Sequence, residues 1–309
     1  MKSMNLWWIA SVNRVRSLAR VGRVSLFVFL TCVFSAASAS AAPFVYVVTL
    51  FQQFGTVDLA NGRFQPIGNG TPDSLSDLVW NKDGSLLTLA TFPNMGYLAK
   101  INPATGEETL IGPTGLSYNA FSLAEVRGKL YLTDLSNNLY SVNPATGAAT
   151  PLAKTGMPPD QHVPLTFGNY YTYFLCDEGF YGIAGKLYAT FDSFAIDPTQ
   201  GPPPPRTEEY NSPRLYAIDP FTGETTVLGN IDWSLSAIVE ANGKGYAFKG
   251  VLDGFIYTSS DPLAGFPIAH PELDTFDWKT GKTKKIADMD PGVGVIFGAA
   301  PLPDPNSSY

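Results

Sequence analysis

One five-residue signature is written five times along this chain. Asn102-Pro103-Ala104-Thr105-Gly106 recurs letter for letter as Asn143-Pro144-Ala145-Thr146-Gly147. Looser copies are Asp58-Leu59-Ala60-Asn61-Gly62, Asp219-Pro220-Phe221-Thr222-Gly223 and Asp277-Trp278-Lys279-Thr280-Gly281. Each opens on Asn or Asp, whose side chain hydrogen-bonds its own backbone and favours a type I turn. Proline, in three copies, presets φ at the next position. The closing glycine supplies the left-handed residue of a type I turn with a G1 bulge. Alternating runs flank the turns, as in Tyr97-Leu98-Ala99-Lys100-Ile101 before the first exact copy and Thr225-Thr226-Val227-Leu228 after the Asp219 copy. Each copy therefore reads as a β-hairpin.

A hairpin repeated at this period implies a stacked or circular all-β array, and a β-propeller fits it. Short turns of a second kind precede the hairpins, at Lys82-Asp83-Gly84, Arg127-Gly128-Lys129, Ala184-Gly185-Lys186 and Asn242-Gly243-Lys244. Together they define four units of four strands, A to D, near 75–112, 119–153, 180–229 and 234–287. The fifth unit is split. Its N-terminal part holds Phe44-Val45-Tyr46-Val47-Val48 and the hairpin at Asn61-Gly62, and lacks a strand A. Gly294-Val295-Ile296-Phe297-Gly298 is a spare strand at the other terminus. Joining the two closes the ring and leaves no open sheet edge. The expected fold is a single five-bladed propeller over 42–298, closed by N- and C-terminal strands, with six blades if 155–180 holds an irregular unit. Residues 299–309 are expected to form a disordered tail.

Residues 1–41 read as a cleaved export signal. Arg14, Arg16, Arg20 and Arg23 form a basic region, an apolar run extends from Val24 to about Ala37, and Ala39-Ser40-Ala41 fits the A-x-A cleavage pattern. The apolar run is shorter than the roughly 20 residues a spanning helix needs. An exported protein, periplasmic or extracellular, with no membrane insertion after cleavage is expected. Positions 1–41 carry five basic and no acidic residues, so the remainder has 15 basic against 27 acidic residues, a net charge of −12. That acidity argues against nucleic acid and anionic lipid as partners. Cys176 is the one cysteine after the signal, which excludes an intrachain disulfide there.

The hairpin glycines are unevenly spaced, at steps of 44, 41, 76 and 58 residues from Gly62. A four-stranded blade takes about 40–45 residues, so the third and fourth steps carry insertions. These fall at 154–179, 195–213 and 250–271, on D-to-A and B-to-C connections, which emerge on one rim of a propeller. Insertions confined to one face mark it as the binding face. His162 and His270 both lie in them. Short connectors to the same rim add Asp73, Asp134, Asp232 and Asp290, and aromatics there include Tyr170, Tyr171, Trp233 and Tyr257.

Two functions follow as expectations. The first is an exported binding module whose insertion-bearing face holds a small molecule, glycan or protein partner, with Trp233, Tyr170, Tyr171 and Tyr257 as ligand contacts. The second is a hydrolase or lyase acting on a sugar or lactone, with Asp73, Asp134, Asp232 and Asp290 as its carboxylates and His162 or His270 as its acid–base group. The second needs carboxylates converging within about 5–9 Å near the axis, where they would shift one another's pKa. Calcium in the channel, held by carboxylates from several blades, is compatible with the abundance of Asp and Asn, although no linear calcium loop occurs. No G-x-S-x-G elbow, P-loop or H-E-x-x-H motif is present.

The repeated Leu-Tyr-x-Ile/Val-Asn/Asp-Pro-x-Thr-Gly, with Leu228-Gly229 downstream, resembles the repeats of exported bacterial β-propellers, the YVTN-like and quinoprotein-like repeat proteins. The resemblance covers most of 43–298 and rests on a turn motif. It implies fold and export, and carries no catalytic residue to this chain. The W-D and G-H marks of WD-repeat proteins and the tryptophan-docking repeats of quinone-binding dehydrogenases are lacking.

Overall fold

A computed structural model describes residues 43–49, 51–71, 74–92, 95–116, 120–134, 137–157, 166–167, 170–171, 174–175, 178–183, 185–196, 206–231, 235–258 and 261–303, with the backbone alone at 74, 91–92, 120–121, 166–167, 170–171, 174–175, 178, 191–196, 206–213, 252–258 and 261–269. The chain opens with β1 (Phe44–Thr49), β2 (Phe54–Asp58) and β3 (Arg63–Pro66). Next come β4 (Ser74–Trp80), β5 (Leu86–Phe92), β6 (Met95–Ile101) and β7 (Glu108–Pro113), then β8 (Ala120–Val126), β9 (Lys129–Asp134), β10 (Asn138–Val142) and β11 (Ala149–Lys154). Three two-residue strands, β12 (Thr166–Phe167), β13 (Tyr170–Tyr171) and β14 (Phe174–Leu175), precede β15 (Glu178–Ile183), β16 (Lys186–Ile196), β17 (Arg206–Ile218) and β18 (Thr225–Asn230). The last blade is β19 (Leu235–Ala241), β20 (Lys244–Thr258), β21 (Asp261–Phe276) and β22 (Thr283–Asp288), followed by a 3-10 turn over Pro291–Val293 and β23 (Ile296–Pro301).

These strands make five four-stranded antiparallel blades: β23-β1-β2-β3, β4 to β7, β8 to β11, β15 to β18 and β19 to β22. Numbered in that order as blades I to V, their innermost strands β23, β4, β8, β15 and β19 neighbour one another in a closed ring. The expected five-bladed propeller with two-terminus closure is the observed one. β23 pairs antiparallel with β1, Val45 opposite Pro301 and Val48 opposite Gly298. The strand runs to Pro301, so Ala299, Ala300 and Pro301, assigned from sequence to the tail, belong to the sheet. Ala300 is buried there. The Trp80 indole N–H of blade II donates to the Pro301 carbonyl at 2.6 Å, which fastens the last residue of the ring.

Both faces of each blade are buried, because each is sandwiched between two neighbours. The alternation of strand side chains distributes apolar groups to both sides. In β5, Leu86 and Ala90 pack with Val48, Phe54 and Ala300 of blade I. Leu87 and Leu89, on the other face, pack with Leu123, Leu130 and Leu132 of blade III. In β16, Leu187 and Ala189 face blade III while Tyr188 faces blade V. The final interface joins Tyr246, Phe248 and Leu273 of blade V to Val45, Val47 and Val57 of blade I.

The turn motif folds as its chemistry dictates. In all five copies the opening side chain accepts the amide two residues on: Ala60 to Asp58, Ala104 to Asn102, Ala145 to Asn143, Phe221 to Asp219 and Lys279 to Asp277, at 2.8–3.0 Å. The closing glycine then donates to the carbonyl of the opening residue at 2.8–2.9 Å. Its φ lies between +72° and +79°, a region a side chain disfavours.

Two of the three insertions are not irregular loops. β16 and β17 extend past the blade as a paired ribbon that reaches Ile196 opposite Arg206. β20 and β21 do the same and reach Thr258 opposite Asp261. The described residues of segments 195–213 and 250–271 thus form arms built by lengthening strands B and C. In 154–179 the described residues form the β12–β13 pair and β14, which pairs with β16, and contribute no sixth blade.

Candidate functional site

The two rims of the ring are built differently. On one, the A–B and C–D turns are tight, and the C–D turns hold neighbouring blades together. Gly112 closes β7 of blade II against the Thr146 carbonyl of the blade III hairpin, and Gly147 of that hairpin lies against the Gly112 carbonyl. The same joint recurs with Gly68 against Thr105 and Gly229 against Thr280. A Cβ at any of these positions would collide with a backbone oxygen. The Ile-Gly or Leu-Gly downstream of these hairpins and the Thr-Gly within the next are therefore two halves of one inter-blade contact.

The other rim carries the described parts of the arms and, of the residues nominated from sequence, Asp134, Asp290 and His270. Asp134, at the end of β9, is buried. Its carboxylate accepts the Asn138 amide at 2.9 Å, the Asn138 side-chain nitrogen at 2.9 and 3.2 Å, and the Tyr140 hydroxyl at 2.8 Å. Burial, aided by that bond, pushes the Tyr140 hydroxyl up to about 12. The group clasps the B–C turn, where Asn137 adopts φ +60°. Asp290 is exposed and caps the 3-10 turn by accepting the Gly292 amide at 2.8 Å.

His270 sits at the base of the blade V arm, opposite Val251. Its Nε2 is 3.3 Å from Asp288 Oδ1. Asp288 also meets Lys285 at 2.5 Å, Lys285 meets Glu272 at 2.7 Å, and Lys249 lies 3.6 Å from Glu272 and 2.5 Å from Asp274. The hydrogen bond from Lys285 holds the Asp288 carboxyl below its ordinary range. Burial pushes Asp274 up against the pull of Lys249. For Glu272 burial acts upward too, but hydrogen bonds from Lys285 and Asp274 leave it lowered. The network sits where β19 and β22 stop, at Leu235–Lys249 and Glu272–Asp288, so it straps the point at which four strands narrow to two.

Asp134, Asp290 and His270 thus stand on blade III, the connector into β23 and blade V, each with its own partners. Among the described residues no three His, Cys, Asp or Glu side chains come together as a metal site. Asp73, Asp232, Trp233, His162 and Cys176 lie outside the described residues. Tyr170 and Tyr171 are in the β12–β13 pair, opposite Phe167 and Thr166, and Tyr257 is on the blade V arm opposite Gly265.

Sequence reasoning passed over Asp77. It lies on innermost strand β4 within a bulge, between Ser76 and Val79, at φ +55°. Its Oδ2 accepts the Leu123 amide of β8 at 2.9 Å, and Ser122 bonds its side chain as well. Ser122 in turn accepts the Phe180 amide of β15 at 2.8 Å. Burial pushes the Asp77 carboxyl up to about 7, against both of its hydrogen bonds. Two glycines show how closely the inner strands approach here: a Cβ on Gly298 of β23 would strike the Asp77 backbone, and one on Gly182 of β15 the Glu125 carbonyl.

No protein-family model matches the chain, and no curated protein matches it. Among solved structures it is similar to a chain from the crystal structure of a nidogen/laminin complex, at 11% identity and a TM-score of 0.46, over 84% of this chain and 98% of that one.

Proposed function

We propose that this chain is an exported binding module that engages a protein partner through its arm-bearing rim. One observation carries the reading. Two adjacent blades, IV and V, lengthen their central strands into paired ribbons on the same rim, while the opposite rim keeps short turns whose C–D members serve as inter-blade joints. A propeller needs no such ribbons to close. Extended ribbons offer main-chain groups and long surfaces, which suit a polypeptide better than a small solute. The three acid–base candidates among the described residues, Asp134, Asp290 and His270, each serve a turn or a strap, which favours binding over hydrolysis or lyase chemistry. Export rests on the leader at 1–41. No described helix is long and apolar enough to cross a membrane.

Photo-crosslinking in the producing cell tests the reading. A photoreactive residue replaces Tyr210 or Ala264 on the arms, or Ala104 or Ala145 at hairpin tips on the other rim. Adducts to another protein from the arm positions alone are expected. Equal labelling from the hairpin tips, or no foreign adduct from any position, would overturn it.

A further inference from the structure

Beyond the four-stranded part of blades IV and V, each ribbon has two outer edges, and unpaired strand edges invite further strands unless they are protected. Three of the four edges are protected. The β16 edge is covered by β14, with Phe174 opposite Ala195 and Leu175 opposite Phe194. β17 carries Arg206, Glu208, Glu209 and Pro213 over its projecting part, and charges and prolines discourage pairing. β21 carries Pro262 and Pro267, with Pro271 at its base, and proline has no N–H to give a ladder. β20 differs. Its one charge beyond Lys249, Asp253, stands at the bulge between Leu252 and Gly254, and from Gly254 to Thr258 it reads Gly-Phe-Ile-Tyr-Thr, without charge or proline and rich in strand-forming residues. Among the described residues nothing pairs with this edge beyond Lys249.

The register says which backbone groups the edge offers. Pairing is unbroken from Gly254 opposite Ile268 to Tyr257 opposite Gly265, and Phe255 stands opposite Pro267. A proline fits an antiparallel pair only where its nitrogen faces away from the partner strand. Phe255–Pro267 is then a non-hydrogen-bonded pair, and so is Tyr257–Gly265 two residues on. Phe255 and Tyr257 therefore turn their N–H and C=O groups to the outer edge, while Ile256 bonds inward to Phe266.

We infer that two copies of this chain join through the β20 edge, antiparallel about a two-fold axis at Ile256. Phe255 of each copy exchanges both main-chain hydrogen bonds with Tyr257 of the other, and Ile256 stands opposite its own counterpart. The segment is self-complementary: an isologous pairing about this point sets no like charges opposite one another. It converts two two-stranded ribbons, each marginal alone, into one four-stranded sheet. The inference concerns the same rim as the proposed partner site but does not depend on what that rim binds.

Sedimentation velocity of the purified chain over about a hundredfold concentration range tests it, because mass action must convert monomer to dimer. The expected result is a doubling of mass with rising concentration, accompanied by slower hydrogen exchange at the Phe255 and Tyr257 amides. Tyr257→Pro removes an outward donor while sparing the β20–β21 ladder, and Ile256→Lys places two cations face to face. Both variants should remain monomeric with the wild-type circular dichroism spectrum. A wild type monomeric at every concentration, or a dimer surviving in either variant, would overturn the inference. Neither result bears on foreign adducts from the arms, so the two readings fail separately.

Discussion

A carboxyl group on a residue only 9% exposed, held by a backbone amide and a hydroxyl with no charged partner among the described residues, has little to offset the loss of water. Asp77 is in that position, and burial outweighs its two hydrogen bonds. Its folded value of about 7 lies above the ordinary 3.8, so the folded state holds the proton more tightly. The stabilisation is fully present below the unfolded value and is lost as pH rises through the folded one, a window from about 4 to 7. Asp77→Asn keeps a carbonyl oxygen for the Leu123 amide, tolerates φ +55°, and cannot ionise. Relative to wild type, the variant should gain about 1–3 kcal/mol at pH 8 and nothing at pH 4. Urea unfolding at the two pH values reads the difference, and an equal effect at both would refute the burial argument. The residue was illegible in Ser74-Leu75-Ser76-Asp77-Leu78-Val79-Trp80 because strict alternation says nothing of the bulge that carries it inward. Asp134 was visible as a residue on the right rim, but that its oxygens are engaged by Asn138 and Tyr140 is information only geometry supplies.

At the scale of the element, the hairpins were the legible part. Their signal is local, an Asx side chain, a proline and a glycine within five residues, and each needs only its own neighbours to form. The arms were legible as surplus length and not as strands. Pro262, Pro267 and Pro271 demote a strand reading of 261–271, and the one Asp-Gly in the two segments, Asp253-Gly254, falls at a bulge inside β20 and marks no hairpin tip. Leu228-Gly229 was read as a repeat mark, whereas the cause of its glycine, as of Gly68 and Gly112, lies in the next blade. Gly112 has no left-handed φ, so its substitution isolates steric contact from backbone strain. Gly112→Ala drives a methyl into the Thr146 carbonyl and should cost about 2–4 kcal/mol. Gly115 has φ +79° and open space around it, so Gly115→Ala should cost only the left-handed strain, about 1–2 kcal/mol. Thermal unfolding of the two variants gives the order, and a larger loss at Gly115 would show that the joint yields.

At the scale of the whole molecule, stability depends on the ring being shut. Blade I takes its innermost strand from the far end of the chain, and the sequence disclosed this because the N-terminal unit lacked a strand A while a spare strand stood at 294–298. It misplaced the end, since a boundary at 298 leaves Ala300 and Pro301 outside, and only the β1 register and the Trp80 contact show them inside. Ile296 and Ala300 are buried, in the blade V–I and I–II interfaces respectively. Removing β23 would uncover both interfaces at once and leave β1 with a bare edge next to β4 and β19. A chain ending after Pro303 should therefore unfold as the full chain does, since the residues removed follow the last ladder pair. A chain ending after Val295 should lose the cooperative transition altogether, because the closing blade is then three-stranded and the ring is open. Differential scanning calorimetry of the two truncations separates the cases. If the shorter chain kept a sharp transition near the full-length midpoint, the ring would not depend on its terminal strand, and the stability of blades II to V would have to reside in their mutual interfaces alone.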